Sequence, residues 1–183
     1  MEISNIIKTF EEKLSSGPDK IPMKVLKSSS DKMLLALSHI LYLFLEKGKF
    51  IEYFKLATVC PVYKKGDKNN INNYRPVNLL SNISKLLEKI MYKRLISFID
   101  KNKFLINQQF GFRKKHSTSH AISYLIDKIT HSFQNKMSTL GIFLDLSKAL
   151  DTIDHSTLLL KLGHYGIRGN ALNWLSSYLI GRK

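Results

Sequence analysis

The chain has 183 residues, 44% hydrophobic and 23% charged, a balance typical of a folded globular protein and too apolar for a disordered one. Its 29 Lys and Arg outnumber 14 Asp and Glu, and the resulting net charge of +15 indicates a polyanionic partner. A single cysteine, Cys60, excludes an internal disulfide and a cysteine-based zinc cluster.

The basic residues are concentrated in the middle of the chain. Positions 61–115 hold 13 Lys or Arg and 3 Asp or Glu, a local net charge of +10. For any single lysine of this stretch, a solvated position on the protein surface is the favoured explanation. The cluster as a whole favours nucleic acid or nucleotide phosphate as the partner.

The first fifty residues are predicted to be mainly helical. Residues 2–14 carry apolar side chains at helical spacing until SSGPD interrupts the pattern. A second helix is predicted over 31–45, with Asp31 as its N-cap, and its apolar composition indicates burial. This run is shorter than the roughly 20 residues that span a bilayer, and no secretion signal is present. We therefore expect an intracellular protein, cytoplasmic or nuclear, without a membrane partner.

Residues 56–63 and 75–80 are predicted to form the two strands of a long hairpin around a polar, basic loop. The first strand is rich in β-branched residues, and its Pro61 favours an edge strand or a bulge over a central position. Cys60 lies in the same strand, where core packing is the favoured role. Ser81 or Asn82 is then expected to cap the next helix.

Another helix is predicted over 117–133. Residues 139–146 (TLGIFLDL) then indicate a buried strand that carries Asp145 near its end. Two amphipathic helices, 156–165 and 170–179, complete the pattern.

Asp145 is the first candidate for chemistry, because a carboxylate at the end of a buried strand needs hydrogen bonds or a cation. Taken alone, the residue is more simply explained as the cap of the next turn. Asp151, Asp154 and His155 follow closely and could suggest a metal cluster. The string DTIDHS is nevertheless typical of a helix start, where Asp and Ser accept hydrogen bonds from free N–H groups, so capping is favoured for all three.

Several strings in this chain resemble, in order, the reverse transcriptases of non-LTR retrotransposons of the jockey-like or LINE type. FLDLSKALDTIDH at 143–155 resembles the first palm motif of that family. GPDKIPMKVLK at 17–27 resembles the leading segment, although Lys20 stands where the family usually has glycine. The strings at 61–95 and 107–122 resemble the fingers motifs and the segment before the palm. Their common order across most of the chain is far more specific than one motif.

The resemblance implies an α+β, mainly helical fold: the fingers and a partial palm of a right-hand polymerase. Residues 1–50 would form a helical leading segment, residues 51–137 the fingers, and residues 138–183 the beginning of the palm. The later palm motif with paired aspartates has no counterpart after Asp145, and the thumb is missing. We therefore expect a truncated polymerase that is inactive without a carboxy-terminal palm and thumb.

The activity implied is that of an RNA-directed DNA polymerase, which uses an RNA template, a DNA primer and deoxynucleoside triphosphates. In the complete enzyme two Mg²⁺ ions would activate the primer hydroxyl and stabilise the leaving pyrophosphate. Asp145 matches the first of the metal-binding aspartates, and the backbone carbonyl of Leu146 would assist it. One carboxylate and one carbonyl alone should hold Mg²⁺ only weakly.

By the same resemblance, Lys64 and Arg75 match the fingers residues that bind the incoming triphosphate. Their chemistry suits phosphate, since Arg presents a bidentate fork and Lys a point charge. Lys65 is the next candidate, but a solvated loop is favoured for it and for Lys68. Leu150 stands where the family has an aromatic residue that excludes the 2′-hydroxyl of the sugar, so we expect weak sugar discrimination.

The segment GFRKKHST is consistent with two roles. Arg113, Lys114 and Lys115 could contact template phosphates while Phe112 packs beneath them, or the three could form a solvated surface.

Two other functions stay open on the sequence. One is a nucleic-acid-binding remnant without catalytic activity. The other is a metal-dependent nuclease that uses Asp145, Asp151 and Asp154, which ranks last because the order of motifs favours a polymerase and no general base is evident.

Overall fold

Helices dominate the part of the chain that the computed structural model describes, residues 2–146, 149 and 152–182. The α-helices are α1 (Glu2–Lys8), α2 (Met23–Lys27), α3 (Asp31–Glu46), α4 (Asn82–Lys101), α5 (Thr118–Gln134), α6 (His155–His164) and α7 (Gly169–Leu179). One antiparallel sheet has two strands, β1 (Ala57–Tyr63) and β2 (Tyr74–Leu80). This mixed, mainly helical composition confirms the predicted α+β class. The chain divides into two compact units, residues 1–95 with 154–183 and residues 96–153.

The core of the first unit begins with α1. Its isoleucines are spaced three and four residues apart, which places them on one face of the helix. That face is buried through Ile3, Ile6 and Ile7. The helix ends at Lys8, whereas the sequence predicted helix to residue 14. Leu14 is 77% exposed and therefore gains no burial that would favour a longer helix.

Helix α3 is amphipathic and only partly buried, whereas its composition predicted a buried helix. Its buried face is formed by Leu34, Leu41 and Leu45, while Met33 is 56% exposed. Its N-cap is Ser30, whose Oγ accepts a hydrogen bond from the Met33 N–H at 3.4 Å. Asp31 instead occupies the first turn, where a negative charge favours the helix dipole. No helix among the described residues is long and apolar enough to cross a membrane.

The Gly-Pro-Asp segment that begins at Gly17 is fastened to the start of α4. The Ser81 hydroxyl donates to Asp19 Oδ2, and the Asn82 side chain donates to the Ile21 carbonyl at 2.7 Å. Gly17 itself is buried against the backbone at Ser81. The leading segment thus holds the point where β2 passes into α4.

Lys20 lies in the turn that follows Gly17, and its N–H donates to the Gly17 carbonyl at 3.0 Å. Its φ of +56° lies in the left-handed region, which glycine adopts without steric cost and lysine does not. This conformation explains why glycine suits the position.

Strands β1 and β2 form the predicted hairpin, in a register that pairs Val62 with Arg75 and Tyr63 with Tyr74. The sheet has only these two strands, so each of them is an edge strand. An edge strand accommodates Pro61, because proline has no N–H group and the outer side of the strand has no neighbour that needs one. Cys60 is half-buried in β1 rather than part of the core.

Ser81 caps α4, as the sequence predicted. Its carbonyl accepts a hydrogen bond from the Lys85 N–H at 3.0 Å, and its hydroxyl accepts one from the Ile83 N–H at 3.2 Å. The cap therefore satisfies free N–H groups at the helix start.

Helices α6 and α7 confirm the two amphipathic helices predicted near the carboxyl terminus. Helix α7 packs on the connection after α3 through an aromatic cluster in which Phe50 meets Trp174 edge-on and Tyr178 stacks on Trp174, both with centroids 5.3 Å apart. The Phe50 N–H donates to Ser177 Oγ at 3.0 Å. These contacts join the two sequence-distant parts of the first unit.

In the second unit, helix α5 begins where the sequence predicted. Ser117 is its N-cap, and its Oγ accepts a hydrogen bond from the His120 N–H at 3.4 Å. Residues 139–146, in contrast, are not a strand, and the prediction of a buried strand is wrong for this structure. Their apolar side chains are exposed, with Leu144 at 90% and Phe143 at 83%. A strand needs a hydrogen-bonded neighbour, and the described residues provide none for this segment.

Candidate nucleotide and nucleic-acid interface

The loop end of the hairpin brings together two of the predicted site residues, Lys64 and Arg75. The Lys64 N–H donates to the Asn73 carbonyl at 2.8 Å, so the pairing continues one position beyond β1. Paired residues share a face of the sheet and successive residues alternate between faces, so Lys64 and Arg75 are diagonal neighbours on one face. Tyr63 and Tyr74 lie on the opposite face, with ring centroids 5.6 Å apart.

Both cations are available to an anion. Lys64 and Arg75 are exposed, and neither has an ion-pair partner among the residues that the structure describes. The one acid of the loop, Asp67, accepts a hydrogen bond from the Asn69 N–H at 2.9 Å. The hairpin therefore presents a bidentate donor and a point charge side by side, a combination suited to a polyphosphate.

The loop is held in shape by its own side chains. The Asn73 amide donates to the Asp67 carbonyl at 2.8 Å, and the Tyr74 hydroxyl donates to the Lys68 carbonyl at 2.9 Å. The Lys68 ammonium lies 5.8 Å from the centroid of the Tyr63 ring. Since Tyr63 lies on the face away from Arg75, this position favours the solvated role that the sequence indicated for Lys68.

The basic loop, residues 111–116, carries the second set of predicted residues. Arg113 is half-buried, and its Nη1 donates to the Ile106 carbonyl at 3.0 Å. Lys114 and Lys115 are exposed, and neither forms an ion pair with another described residue. Arg113 therefore differs from the two lysines, because its guanidinium already holds the loop through a hydrogen bond.

Phe112 does not pack beneath these cations, contrary to the sequence prediction. It is 94% exposed, and its φ of +58° places it in the left-handed region. The inward position belongs to Phe110, whose ring centroid lies 5.8 Å from that of Tyr124 and 5.9 Å from that of His116. Phe112 is thus an exposed aromatic side chain that lies in sequence beside the exposed Lys114 and Lys115.

Asp145 lies in the exposed segment 139–146 and has no hydrogen-bond or ion-pair partner among the described residues. Its carboxylate is therefore not buried, and the free-energy cost of burying a charge does not arise in this conformation. Within the described ranges no three His, Cys, Asp or Glu side chains are grouped to hold a metal ion. The carboxylate of Asp145 and the adjoining Leu146 carbonyl are oxygen groups of the kind that Mg²⁺ prefers, but one carboxylate and one carbonyl are too few to complete an octahedral site. Leu150 and Asp151 lie outside the described residues.

Asp154 is a helix cap, as the sequence favoured. Its Oδ1 accepts hydrogen bonds from the Ser156 hydroxyl and the Thr157 N–H, both at 2.6 Å. These hydrogen bonds, first that from Ser156, lower the pKa of Asp154 to about 2. Its carboxylate is therefore ionised at neutral pH and already engaged at the start of α6.

Residues 62–183 match the family described as reverse transcriptase (RNA-dependent DNA polymerase). Because the match covers more than half of the chain, the chain belongs to this family. Its relatives are RNA-directed DNA polymerases of jockey-like and other non-LTR retrotransposons, which confirms the resemblance read from the motifs.

Three relatives illustrate the relationship. The chain is 31% identical, over its whole length, to the "Probable RNA-directed DNA polymerase from transposon BS" of Drosophila melanogaster. Over 87% of its length it is 29% identical to the "RNA-directed DNA polymerase from mobile element jockey" of the same species. Over 63% it is 31% identical to the "Retrovirus-related Pol polyprotein from type-1 retrotransposable element R2" of Popillia japonica. The chain spans about a fifth of the length of these relatives, 20%, 18% and 16%.

Proposed function

We propose that this chain supplies the nucleotide-binding and template-binding part of an RNA-directed DNA polymerase that copies RNA from a DNA primer. The observation that carries the proposal is that Lys64 and Arg75 are diagonal neighbours on one face of the hairpin, both exposed and without an acidic partner in the described part of the chain. The bidentate guanidinium of Arg75 and the ammonium of Lys64 lie at neighbouring positions and can contact different oxygens of one triphosphate. The family membership supports the same role.

The proposed assignment of regions follows the motifs. Residues 1–50 form the leading segment, residues 51–137 the fingers, and residues 138–183 the beginning of the palm. Asp145 would be the first metal-binding aspartate, with the Leu146 carbonyl beside it. Bound Mg²⁺ ions would supply charge neutralisation for the attacking and leaving oxygens. A two-metal site needs more carboxylates than Asp145, so we expect the 183-residue chain alone to bind nucleic acid without extending a primer.

The test of the proposed function is a chimaera. In the BS polymerase, the stretch that aligns with this chain is replaced by residues 1–183, since the alignment covers the whole chain. Arg75→Lys in this chimaera keeps the charge and removes the bidentate fork. We expect the kcat/KM for deoxynucleoside triphosphates to fall about 10- to 100-fold, the loss of one or two charge-assisted hydrogen bonds. Primer extension at varied nucleotide concentration measures this change.

Lys68→Gln is the matched control, because Lys68 is an exposed loop lysine that lies by the Tyr63 ring. We expect its kcat/KM to stay close to that of the parent chimaera. Equal kcat/KM in Arg75→Lys and the parent would contradict the triphosphate role of the hairpin. A chimaera that binds template and primer but never extends, beside an active BS polymerase, would favour the alternative of a catalytically inactive nucleic-acid-binding remnant.

Leu150 gives a separate prediction about sugar selection. A leucine leaves space where an aromatic ring would collide with the ribose 2′-hydroxyl, so Leu150→Phe in the chimaera should improve discrimination against ribonucleotides on the order of tenfold. Competition between a ribonucleotide and its deoxy counterpart measures the ratio. Leu144→Phe, the same change at a 90% exposed neighbour, is the control. Equal discrimination in the parent and Leu150→Phe would show that position 150 does not contact the sugar.

A further inference from the structure

Phe112 is displayed to solvent in a conformation that its side chain disfavours. It is 94% exposed, and its φ of +58° lies in a region that residues with a Cβ rarely adopt. Exposure of a large aromatic side chain and a left-handed backbone both oppose stability. A sequence under selection only for folding would place glycine or asparagine there.

The exposure results from contacts that hold the loop around it. The Arg113 guanidinium donates to the Ile106 carbonyl at 3.0 Å, and the Gln109 amide donates to the Gly111 carbonyl at 3.1 Å. Phe110 turns the other way and packs against the Tyr124 ring. These contacts fasten the residues on both sides of Phe112, so its outward position is built into the loop.

The surroundings of Phe112 are cationic. Lys114 and Lys115 follow within three positions and are exposed, and no Asp or Glu occurs in the sequence from residue 101 to residue 126. An exposed aromatic ring next to unpaired cations suits single-stranded nucleic acid, since the ring stacks on an unpaired base and the lysines contact the flanking phosphates. A duplex offers no free base face along its length, so a single strand fits better.

We propose that Phe112 is a base-stacking residue for single-stranded RNA, with Lys114 and Lys115 contacting the adjacent phosphates. The assignment rests on the proposed function and specifies how the template strand meets the basic loop. Phe112 contributes affinity that is independent of salt, whereas the two lysines contribute affinity that falls with salt. The two kinds of contact are therefore separable in one titration.

The test uses the whole 183-residue chain and a labelled single-stranded RNA of about a dozen nucleotides, with the same sequence as a duplex for comparison. Phe112→Leu should weaken binding to the single strand about 5- to 150-fold, the range for loss of one stacked base, and leave the salt slope unchanged. Phe112→Tyr should bind like the parent. Lys114→Gln and Lys115→Gln should each reduce the slope of log K against log salt by about 0.7. Duplex affinity should respond to the lysines and not to Phe112.

Two further variants exclude a merely structural role. Phe133→Leu changes another exposed phenylalanine, 71% exposed on α5, and should leave RNA affinity unchanged. Phe112→Gly relieves the left-handed strain, so it should unfold at a higher denaturant concentration than the parent while binding single-stranded RNA more weakly.

Three outcomes would overturn the proposal. Single-strand affinity that is equal in Phe112→Leu and the parent would remove the stacking role and leave the phosphate contacts standing. An equal loss of single-strand and duplex affinity in Phe112→Leu would mean that the ring only shapes the loop. Absence of any salt-dependent RNA binding by the parent chain would overturn both the stacking role and the proposed template-binding role.

Discussion

Asp145→Asn in the BS chimaera is expected to slow primer extension to a small residual rate while leaving binding to template and primer nearly unchanged. Asparagine is almost the same size as aspartate but removes the negative charge that would hold a divalent cation. Loss of about 4 kcal/mol of transition-state stabilisation corresponds to roughly a thousandfold slower extension. Binding should persist because the cations of the hairpin and the basic loop are untouched. Single-turnover extension and RNA binding, measured on the same two proteins, separate the effects.

Asp154→Asn provides a matched control, since it is the same substitution nine positions away. Asparagine caps a helix about as well as aspartate, so α6 and the extension rate should both be retained. Extension by Asp145→Asn at a rate close to the parent would refute the metal-binding assignment. The outcome that would instead favour a metal-dependent nuclease is cleavage of nucleic acid by the 183-residue chain. Both Asp145→Asn and Asp154→Asn, introduced into that chain, would then abolish the cleavage.

Gly17→Ala is expected to destabilise the first unit by about 3 kcal/mol, because backbone atoms occupy the space of the added methyl group. A Cβ at Gly17 would lie 2.3 Å from the Ser81 nitrogen and 2.5 Å from the Leu80 carbonyl carbon. The chain cannot simply move away, since hydrogen bonds from Ser81 to Asp19 and from Asn82 to Ile21 hold the two segments together. Denaturant unfolding followed by the fluorescence of Trp174, the one tryptophan of the chain, reports the loss.

Gly163→Ala is the control with the opposite expected sign. Gly163 lies within α6, where the nearest atom to an added Cβ is a Leu172 methyl at 4.0 Å. Alanine in a helix interior is favoured over glycine by up to about 1 kcal/mol, so this variant should be slightly more stable than the parent. An unfolding midpoint for Gly17→Ala equal to that of the parent would show that the leading segment is not packed on α4 as described.

The exposed segment 139–146 is mainly apolar and is not part of the two-stranded sheet. Leu140, Ile142, Phe143, Leu144 and Leu146 are all at least 75% exposed. Consecutive apolar residues without a hydrogen-bonded neighbour can pair with the same segment of another molecule. The segment is therefore disposed to aggregation.

Local signals in the sequence predicted the hairpin, the start of α5 near Ser117 and the cap of α6 at Asp154. Each depends on interactions between residues a few positions apart, such as the hydrogen bond from the Thr157 N–H to Asp154. Alternation of β-branched residues and helical periodicity are likewise properties of short windows. Such features can be recognised without knowledge of the rest of the molecule. The family was recognised for a related reason, since its motifs are contiguous strings.

The sequence by itself thus determined the secondary structure of most of the chain, its basic character and its membership of the reverse transcriptase family. Tertiary structure decided which residues are covered. It placed Phe110 inward and Phe112 outward, although the two differ by only two positions, because packing against Tyr124 selects one of them. It also left 139–146 exposed, because burial and strand pairing depend on neighbours that are distant in sequence. Apolar residues in a sequence favour burial, but the arrangement of the other helices and strands determines whether they are buried.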